Sequence, residues 1–234
     1  MPLSSLELTH VLYDDSSHLS LAMALITLSP ILLMASYAAL AIFWREITVI
    51  NMWAGQFCCE ALNLVIKRLL KQGRPPGSVG NGYGFPSSHS QYMGYFATFL
   101  ILHFHFRHKI STNGYWMTDK TLRTSVYSII VTWAVTVAYS RYYLSYHSIS
   151  QILWGVCIGI SFGGSFYVVA ELLPTRRPNS LLGRARTLLL RNPVFMWLRI
   201  RDGWAVWPDG GLEEEWQRWD REWRGRTKAR LHLN

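Results

Sequence analysis

Apolar residues fall into five blocks along this chain, at about 21–44, 47–66, 89–106, 124–140 and 148–173. A hydrocarbon core takes roughly 20 helical residues to cross, and the blocks approach or exceed that length. The first block contains Pro30, which a membrane helix tolerates, and it stops at Arg45-Glu46. The second is the least clean, because it carries Gln56, Glu60 and Asn63. The pattern predicts an all-α, polytopic membrane helical bundle with about five spans. It divides the chain into a membrane-embedded domain, 1–173, and a tail, 174–234, rich in Trp and Arg. Residues 1–20 are polar, with Glu7, Asp14 and Asp15 and no Lys or Arg. There is no internal repeat.

Composition fits that reading. Half of the 234 residues are hydrophobic and the mean hydropathy is +0.11. A net charge of +9 would suggest nucleic acid in a soluble protein. Here the positive residues sit in loops and in the tail, so membrane orientation accounts for them and no nucleic-acid partner is implied. Cys58, Cys59 and Cys157 lie inside apolar blocks at no zinc spacing, and read as small apolar residues. No basic residue precedes the first block, so no signal peptide is expected.

If each block crosses once, residues 1–20, 67–88 and 141–147 share one side. Residues 45–46, 107–123 and the tail share the other. The second side carries Arg107, Lys109, Lys120 and Arg123, plus 13 of the 23 Lys and Arg in the tail. Positive charge marks the cytoplasmic face, so the first side should face away from the cytosol. Within the tail, Trp216, Trp219 and Trp223 would share one helical face. That suits either a helix lying among lipid headgroups or one packed on a neighbour.

Three polar islands lie on the first side. Lys67 and Arg74 are seven residues apart, which on a helix puts both on one face, a point charge beside a planar fork for one phosphate. Pro75 and Pro76 end that helix. In Pro86-Ser87-Ser88-His89-Ser90, Ser87 or Ser88 is a natural N-cap, and free first-turn N–H groups make an anion site with His89 beside it. The third island supplies Arg141 and, six residues later, His147, with Gln151 one helical turn beyond. Taken singly, these also read as a basic helix end, a plain N-cap beside a surface histidine, and an interfacial histidine. Taken together they make one phosphate site at helix ends. Glu60, inside the second block, is either a functional acid or a charge partner for a cation in the bundle.

Lys67-x6-Arg74-Pro75, then Pro86-Ser87-Ser88-His89, then Ser140-Arg141-x5-His147 resemble the tripartite signature of the type 2 phosphatidic acid phosphatase (PAP2) superfamily, which includes lipid phosphate phosphatases, glucose-6-phosphatase and vanadium haloperoxidases. The match covers about 67–151. Two positions depart from the usual pattern: Ser88 stands for glycine, and Gln151 for the Asp four residues after the nucleophilic His. Those variants, the opening Leu8-Thr9-His10-Val11-Leu12-Tyr13, and Glu60 upstream of Lys67 look like the dolichyldiphosphatase branch.

The resemblance implies a PAP2/haloperoxidase-type bundle in the endoplasmic reticulum membrane, with a lumenal site and a cytosolic tail. It implies a lipid substrate, dolichyl diphosphate, whose terminal phosphate is removed to recycle the carrier of protein N-glycosylation. On that basis His147 is the nucleophile and His89 the general acid. Lys67, Arg74, Arg141, Ser87 and Ser88 bind phosphate, and Gln151 and Glu60 are the orienting or charge partners. No metal or other cofactor is implied, because the islands lack carboxylates to hold Mg²⁺. Competing readings are a related phosphatase for another lipid phosphate, an inactive prenyl-phosphate-binding membrane protein and, last, a small channel.

Overall fold

The computed structural model describes residues 3–6, 11–78, 82–109 and 116–231. The chain opens with a short antiparallel ribbon, β1 (Leu3–Leu6) and β2 (Val11–Asp14), in the stretch that composition marks only as polar. Everything else regular is helical. Helices α1 (His18–Ile26) and α2 (Ser29–Trp44) form one span of 27 residues. They are separated at Thr27-Leu28 because Pro30, at the second position of α2, favours a helix start and disfavours helical geometry just before it. Next come α3 (Ile47–Leu70), α4 (Ser88–Phe106) and α5 (Trp116–Tyr143). Helix α6 (Ile149–Tyr167) continues through a π turn at Val168–Leu172 into α7 (Leu173–Arg176). The tail folds into α8 (Leu181–Leu190), α9 (Pro193–Trp197), a 3₁₀ turn at Gly203–Ala205, and α10 (Leu212–Leu231).

Four of these segments are long and apolar enough to cross a membrane: His18–Trp44, Ile47–Leu70, Trp116–Tyr143 and Ile149–Arg176. Helix α4 is the fifth member of the bundle and too polar at its start to join them, since its first turns carry His89, Ser90, Gln91 and Tyr92. It tolerates those residues because the other helices surround it. It packs mainly on α6, then on α5, α3 and α2. Tyr92, Met93, Tyr95, Phe96, Ala97 and Phe99 are buried, and the Tyr95 hydroxyl donates to the Met52 carbonyl at 2.9 Å. Lipid tails give two apolar helices little reason to associate, so close van der Waals packing and interhelical hydrogen bonds must hold them.

Small residues at four-residue spacing supply the close packing. Gly155, Gly159 and Gly163 line the α6 face that meets α4. A Cβ at Gly155 would stand 2.6 Å from the Ser87 carbonyl oxygen, and one at Gly163 would stand 3.0 Å from that of Tyr95. At Gly159 it would overlap the Gln91 carbonyl oxygen. The α4 and α6 backbones therefore touch along three turns, which fixes the two N-termini side by side.

At the opposite end of the bundle a buried ionic cluster joins the first part of the tail to the helices. Glu171, on the π turn, is fully buried. It accepts from the Thr48 hydroxyl at 3.0 Å and the Asn51 amide at 2.7 Å, and pairs with Arg107 and, at 3.2 Å, with Arg186. Asp202 bridges the same arginines at 2.7 and 2.9 Å. Every charge in this cluster has a partner of opposite sign, the condition under which ions are tolerated at such depth. Beyond it, α10 keeps Trp216, Trp219 and Trp223 on one face, each more than half exposed, with Trp219 stacked on Trp223 at 5.8 Å.

The glycine contact gives a paired prediction. Gly159→Leu should lower stability by about 1–3 kcal/mol, and more if the helices must part. Gly164→Ala, whose Cβ would sit 3.9 Å from the nearest atom, should be neutral. Thermal melting of both variants in detergent checks the pair; equal melting points would remove the contact as the determinant of helix spacing.

Candidate active site

The three islands converge at one end of the bundle. Helix α3 stops at Leu70, where Lys71 turns left-handed (φ 49°) and its N–H donates to the Lys67 carbonyl at 3.0 Å. Gly73 and the residue before Pro75 do not favour continuing the helix. The expectation that Lys67 and Arg74 share a helical face is therefore wrong, because Arg74 lies beyond the helix end. The two meet by another route. The chain turns back, and the Arg74 guanidinium donates to the Tyr146 carbonyl at 2.8 Å and stands 3.4 Å from Nε2 of His147. Lys67, still helical, is within electrostatic reach of Arg74, Glu60 and Arg141.

The second island opens α4. Ser87 is its N-cap and is fully buried; its Oγ accepts from the Ser90 backbone N–H at 3.5 Å and the Ser90 hydroxyl at 2.9 Å. Ser88 and His89 lie in the first turn, half-buried. His89 sits within electrostatic reach of Arg141, His147, Lys67 and Arg74, so both imidazoles and all three cations share one neighbourhood.

The third island is the turn between α5 and α6. Backbone N–H groups of Tyr146 and His147 donate to the Arg141 carbonyl at 3.0 and 3.2 Å. The Arg141 guanidinium is buried, donates to the Thr27 hydroxyl at 2.9 Å, and stacks 3.9 Å from the Tyr146 ring centre. Its Nε has no partner among the described residues, leaving a buried donor for an anion. The Tyr146 hydroxyl in turn accepts from the Leu12 N–H at 2.9 Å, and Leu144 and Tyr146 pack with Ala24, Val11 and Tyr13. The N-terminal ribbon thus braces the turn that carries His147. The resemblance marked the opening Leu8-Thr9-His10-Val11-Leu12-Tyr13 without giving it a structural role, and no sequence signal pointed to Thr27.

Gln151 touches all three islands. Its Nε2 donates to the Gly73 carbonyl at 3.0 Å, which fixes the amide so that Oε1 faces Nδ1 of His147 at 3.1 Å. Its backbone carbonyl accepts from the Ser87 N–H at 3.1 Å. It also closes a capping box with Ser148 at the start of α6. An amide oxygen only accepts, so Nδ1 must carry the proton and Nε2 keeps its lone pair. That lone pair faces Arg74. Gly84 packs tightly on this group; a Cβ there would stand 2.8 Å from the Gln151 amide and 2.9 Å from Arg74.

Burial, and then the nearby Arg74 charge, push the His147 pKa down to about 4, against the opposing pull of the Gln151 hydrogen bond. Burial likewise lowers that of Arg74. Glu60 lies within electrostatic reach of Lys67 and Tyr92. One turn further along α3, Asn63 donates to Gln91 at 2.7 Å, and Gln91 donates to the Cys59 carbonyl at 2.8 Å, a tie between α3 and α4 that sequence reading missed. A cavity of about 540 Å³ opens beside His147, lined by Pro75, Ser78, Tyr142, Ser145, Ile149 and Ser150 among others. An imidazole whose Nε2 lone pair lies beside Arg74, within electrostatic reach of Lys67 and Arg141 and next to an open cavity, can attack an electrophile carried by an anion.

A family model described as the PAP2 superfamily matches residues 48–173. The Dolichyldiphosphatase of Saccharomyces cerevisiae is 32% identical over 174 residues, 70% of each chain. Dolichyldiphosphatase 1 of Mus musculus is 34% identical over 175 residues, 72% of each chain. Dolichyldiphosphatase 1 of Dictyostelium discoideum is 31% identical over 203 residues, 86% of this chain and 83% of its own. No solved structure gives a significant match.

The His147 environment predicts its titration. With the folded pKa at about 4 and the unfolded value near 6.5, the folded state binds fewer protons between those limits. The stability this group contributes is fully present above pH 6.5 and declines as pH falls toward about 4. Histidine NMR, with His147→Asn to assign the resonance, should find a Nδ1-protonated ring still neutral at pH 6. A midpoint near 6.5 would contradict the buried, cation-flanked geometry.

Proposed function

This chain belongs to the PAP2 superfamily and is a multi-pass membrane phosphatase, and from that premise we propose that it hydrolyses dolichyl diphosphate to dolichyl phosphate and inorganic phosphate. The observation that carries the reading is the locked His147 ring, with Nδ1 on Gln151 and the Nε2 lone pair beside Arg74. The names and coverage of the relatives support the choice of substrate.

Lys67, Arg74, Arg141 and the Ser87-Ser88 N-terminus of α4 hold the terminal phosphate and stabilise the charge that spreads over its oxygens in the transition state. His147 Nε2 attacks the terminal phosphorus, and the bond from phosphorus to the bridging oxygen breaks. His89 donates its proton to that oxygen as dolichyl phosphate leaves. Water then attacks the phosphohistidine; His89 takes the water's proton, and His147 is released with its lone pair restored. Gln151 holds the reactive tautomer throughout, and Glu60 sets the electrostatics of Lys67. The membrane-embedded unit 1–173 carries this chemistry. Charge asymmetry supports a site on the non-cytosolic face and the 174–234 tail in the cytosol, and the dolichyldiphosphatase resemblance supports the endoplasmic reticulum membrane with a lumenal site, which suits the recycling of a lipid carrier for N-glycosylation.

The test is phosphate release by purified protein in detergent, with dolichyl diphosphate set against phosphatidate and a sphingoid phosphate. Dolichyl diphosphate should be strongly preferred, and vanadate should inhibit. His89→Ala should slow release by about 10²–10⁴-fold, and His147→Ala should leave only background, with both proteins still inserted in the membrane. The acid limb of kcat/KM should lie well below pH 6.5, toward the His147 value of about 4. Full activity of His147→Ala, or equal turnover of the monoesters, would sink the assignment.

A further inference from the structure

At the end of the bundle opposite the islands, the corner between α2 and α3 holds a second cavity, of about 590 Å³ and lined by cations. It is lined by Arg45, Arg199, Arg201 and Arg218, with Phe43, Trp44 and Trp207 as its apolar walls and Glu214 and Glu215 on one side. Arg45 follows the last residue of a membrane-crossing helix, so the cavity lies at a bilayer border.

Its frame is held by the backbone. The Arg201 N–H donates to the Arg45 carbonyl at 2.9 Å, and the Ile47 N–H donates to the Arg201 carbonyl at 2.9 Å. That pins the segment 199–203 against the helix corner. Arg45 and Arg199 both sit at left-handed bends, φ 55° and 56°, which end α2 and follow α9. Arg201 is neutralised by Glu46 at 2.7 Å, and Glu214 accepts from Trp207 Nε1 at 3.0 Å. Arg218 shares a loose exposed pair with Glu222 at 3.5 Å. Among the described residues, Arg45 and Arg199 have no acidic partner, and the Arg199 side chain makes no hydrogen bond or ion pair.

The surroundings of these two cations are apolar and open. Phe43 is 81% exposed and Trp197 80%, and Ile42, Val194 and Met196 are also largely exposed. Exposed aromatic and aliphatic residues beside unpaired arginines, at the end of a membrane helix, place acyl chains and headgroup charge at adjoining depths. The geometry points to a binding site for the headgroup of an anionic phospholipid, with its phosphate on Arg45 and Arg199 and its acyl chains along Ile42, Phe43 and the exposed face of α9. A guanidinium suits this task because its fork matches phosphate oxygens in pairs. The site is independent of the phosphatase reaction and sits at the far end of the bundle from it.

Phosphatidylinositol is the probe, because its phosphate is a diester with no terminal phosphate to remove. Titrated into the full-length protein in detergent and counted by native mass spectrometry, one molecule should bind at least about fivefold tighter than phosphatidylcholine, the scale of a single cation near a lipid surface. Arg199→Ala, which removes no hydrogen bond or ion pair among the described residues, should cost about fivefold. Arg45→Ala with Arg199→Ala should erase the preference, and the paired Lys substitutions should keep it. Arg123→Ala, at the same end but outside the cavity, and His147→Ala, in the other site, should bind as the wild type does. Millimolar inorganic phosphate should not displace the lipid. Unchanged binding in Arg199→Ala and in the double alanine protein would overturn the site. So would phosphatidylcholine binding as tightly, displacement by inorganic phosphate, or loss of binding in His147→Ala.

Discussion

The site depends on one residue making three kinds of contact at once. Gln151 holds the Gly73 carbonyl with its amide nitrogen, the His147 ring with its amide oxygen and the Ser87 N–H with its backbone carbonyl. Its own direction is fixed at the first turn of α6 by the capping box with Ser148. A fully satisfied buried polar group of this kind specifies one arrangement, because any alternative leaves an unpaired donor or acceptor in a low-dielectric interior. Three segments far apart in the chain are brought to one place by hydrogen bonds that a single residue organises.

That arrangement needs the two helix N-termini to lie side by side, and the glycine face of α6 enforces it. Gly155 lets the Ser87 carbonyl come close, which puts the cap of α4 against the start of α6. At the other end the Glu171 cluster ties the start of α3, the end of α4 and the tail to the same π turn. The membrane supplies little force to hold helices in register. Backbone contact near the site and paired charge at the far end do that work, and α4 can then bury polar residues that hydropathy alone would reject.

Much of this was legible in the sequence, and the parts that were not have physical reasons. Four of the five apolar blocks begin and end within four residues of their helical spans, because membrane spans are long and apolar, but α5 begins at Trp116, eight residues before its block, since its first turns carry Asp119, Lys120 and Arg123. The island residues were found because cations and imidazoles are conspicuous at the ends of such blocks. The shared helical face of Lys67 and Arg74 failed because spacing says nothing about where a helix stops; the left-handed Lys71 and the following Gly73-x-Pro75 decide that. The bracing of the His147 turn by Leu12 and Thr27 was invisible because both contacts run across more than a hundred residues. Asn63 read only as a polar residue in an apolar block, because its partner Gln91 lies on another helix and the pairing across α3 and α4 has no local signal.

Gln151 also bears on why a neutral partner suffices for the proposed chemistry. A carboxylate at this position would fix the same tautomer and would stabilise the cation that forms on Nε2 attack. An amide fixes the tautomer alone. The difference matters least where the leaving group is good, because less bond formation to the nucleophile is then needed before the old bond breaks. A diphosphate offers a phosphate leaving group, whereas a monoester must expel an alkoxide. The surroundings point the same way. Burial and Arg74 already hold His147 neutral far below the ordinary histidine range, so no carboxylate is needed to keep its lone pair available. A carboxylate there would also add a negative charge near the cations that hold the phosphate and weaken their pull on it. A neutral amide leaves Arg74 for the anion, which places the burden of catalysis on the cations and on the substrate's own leaving group.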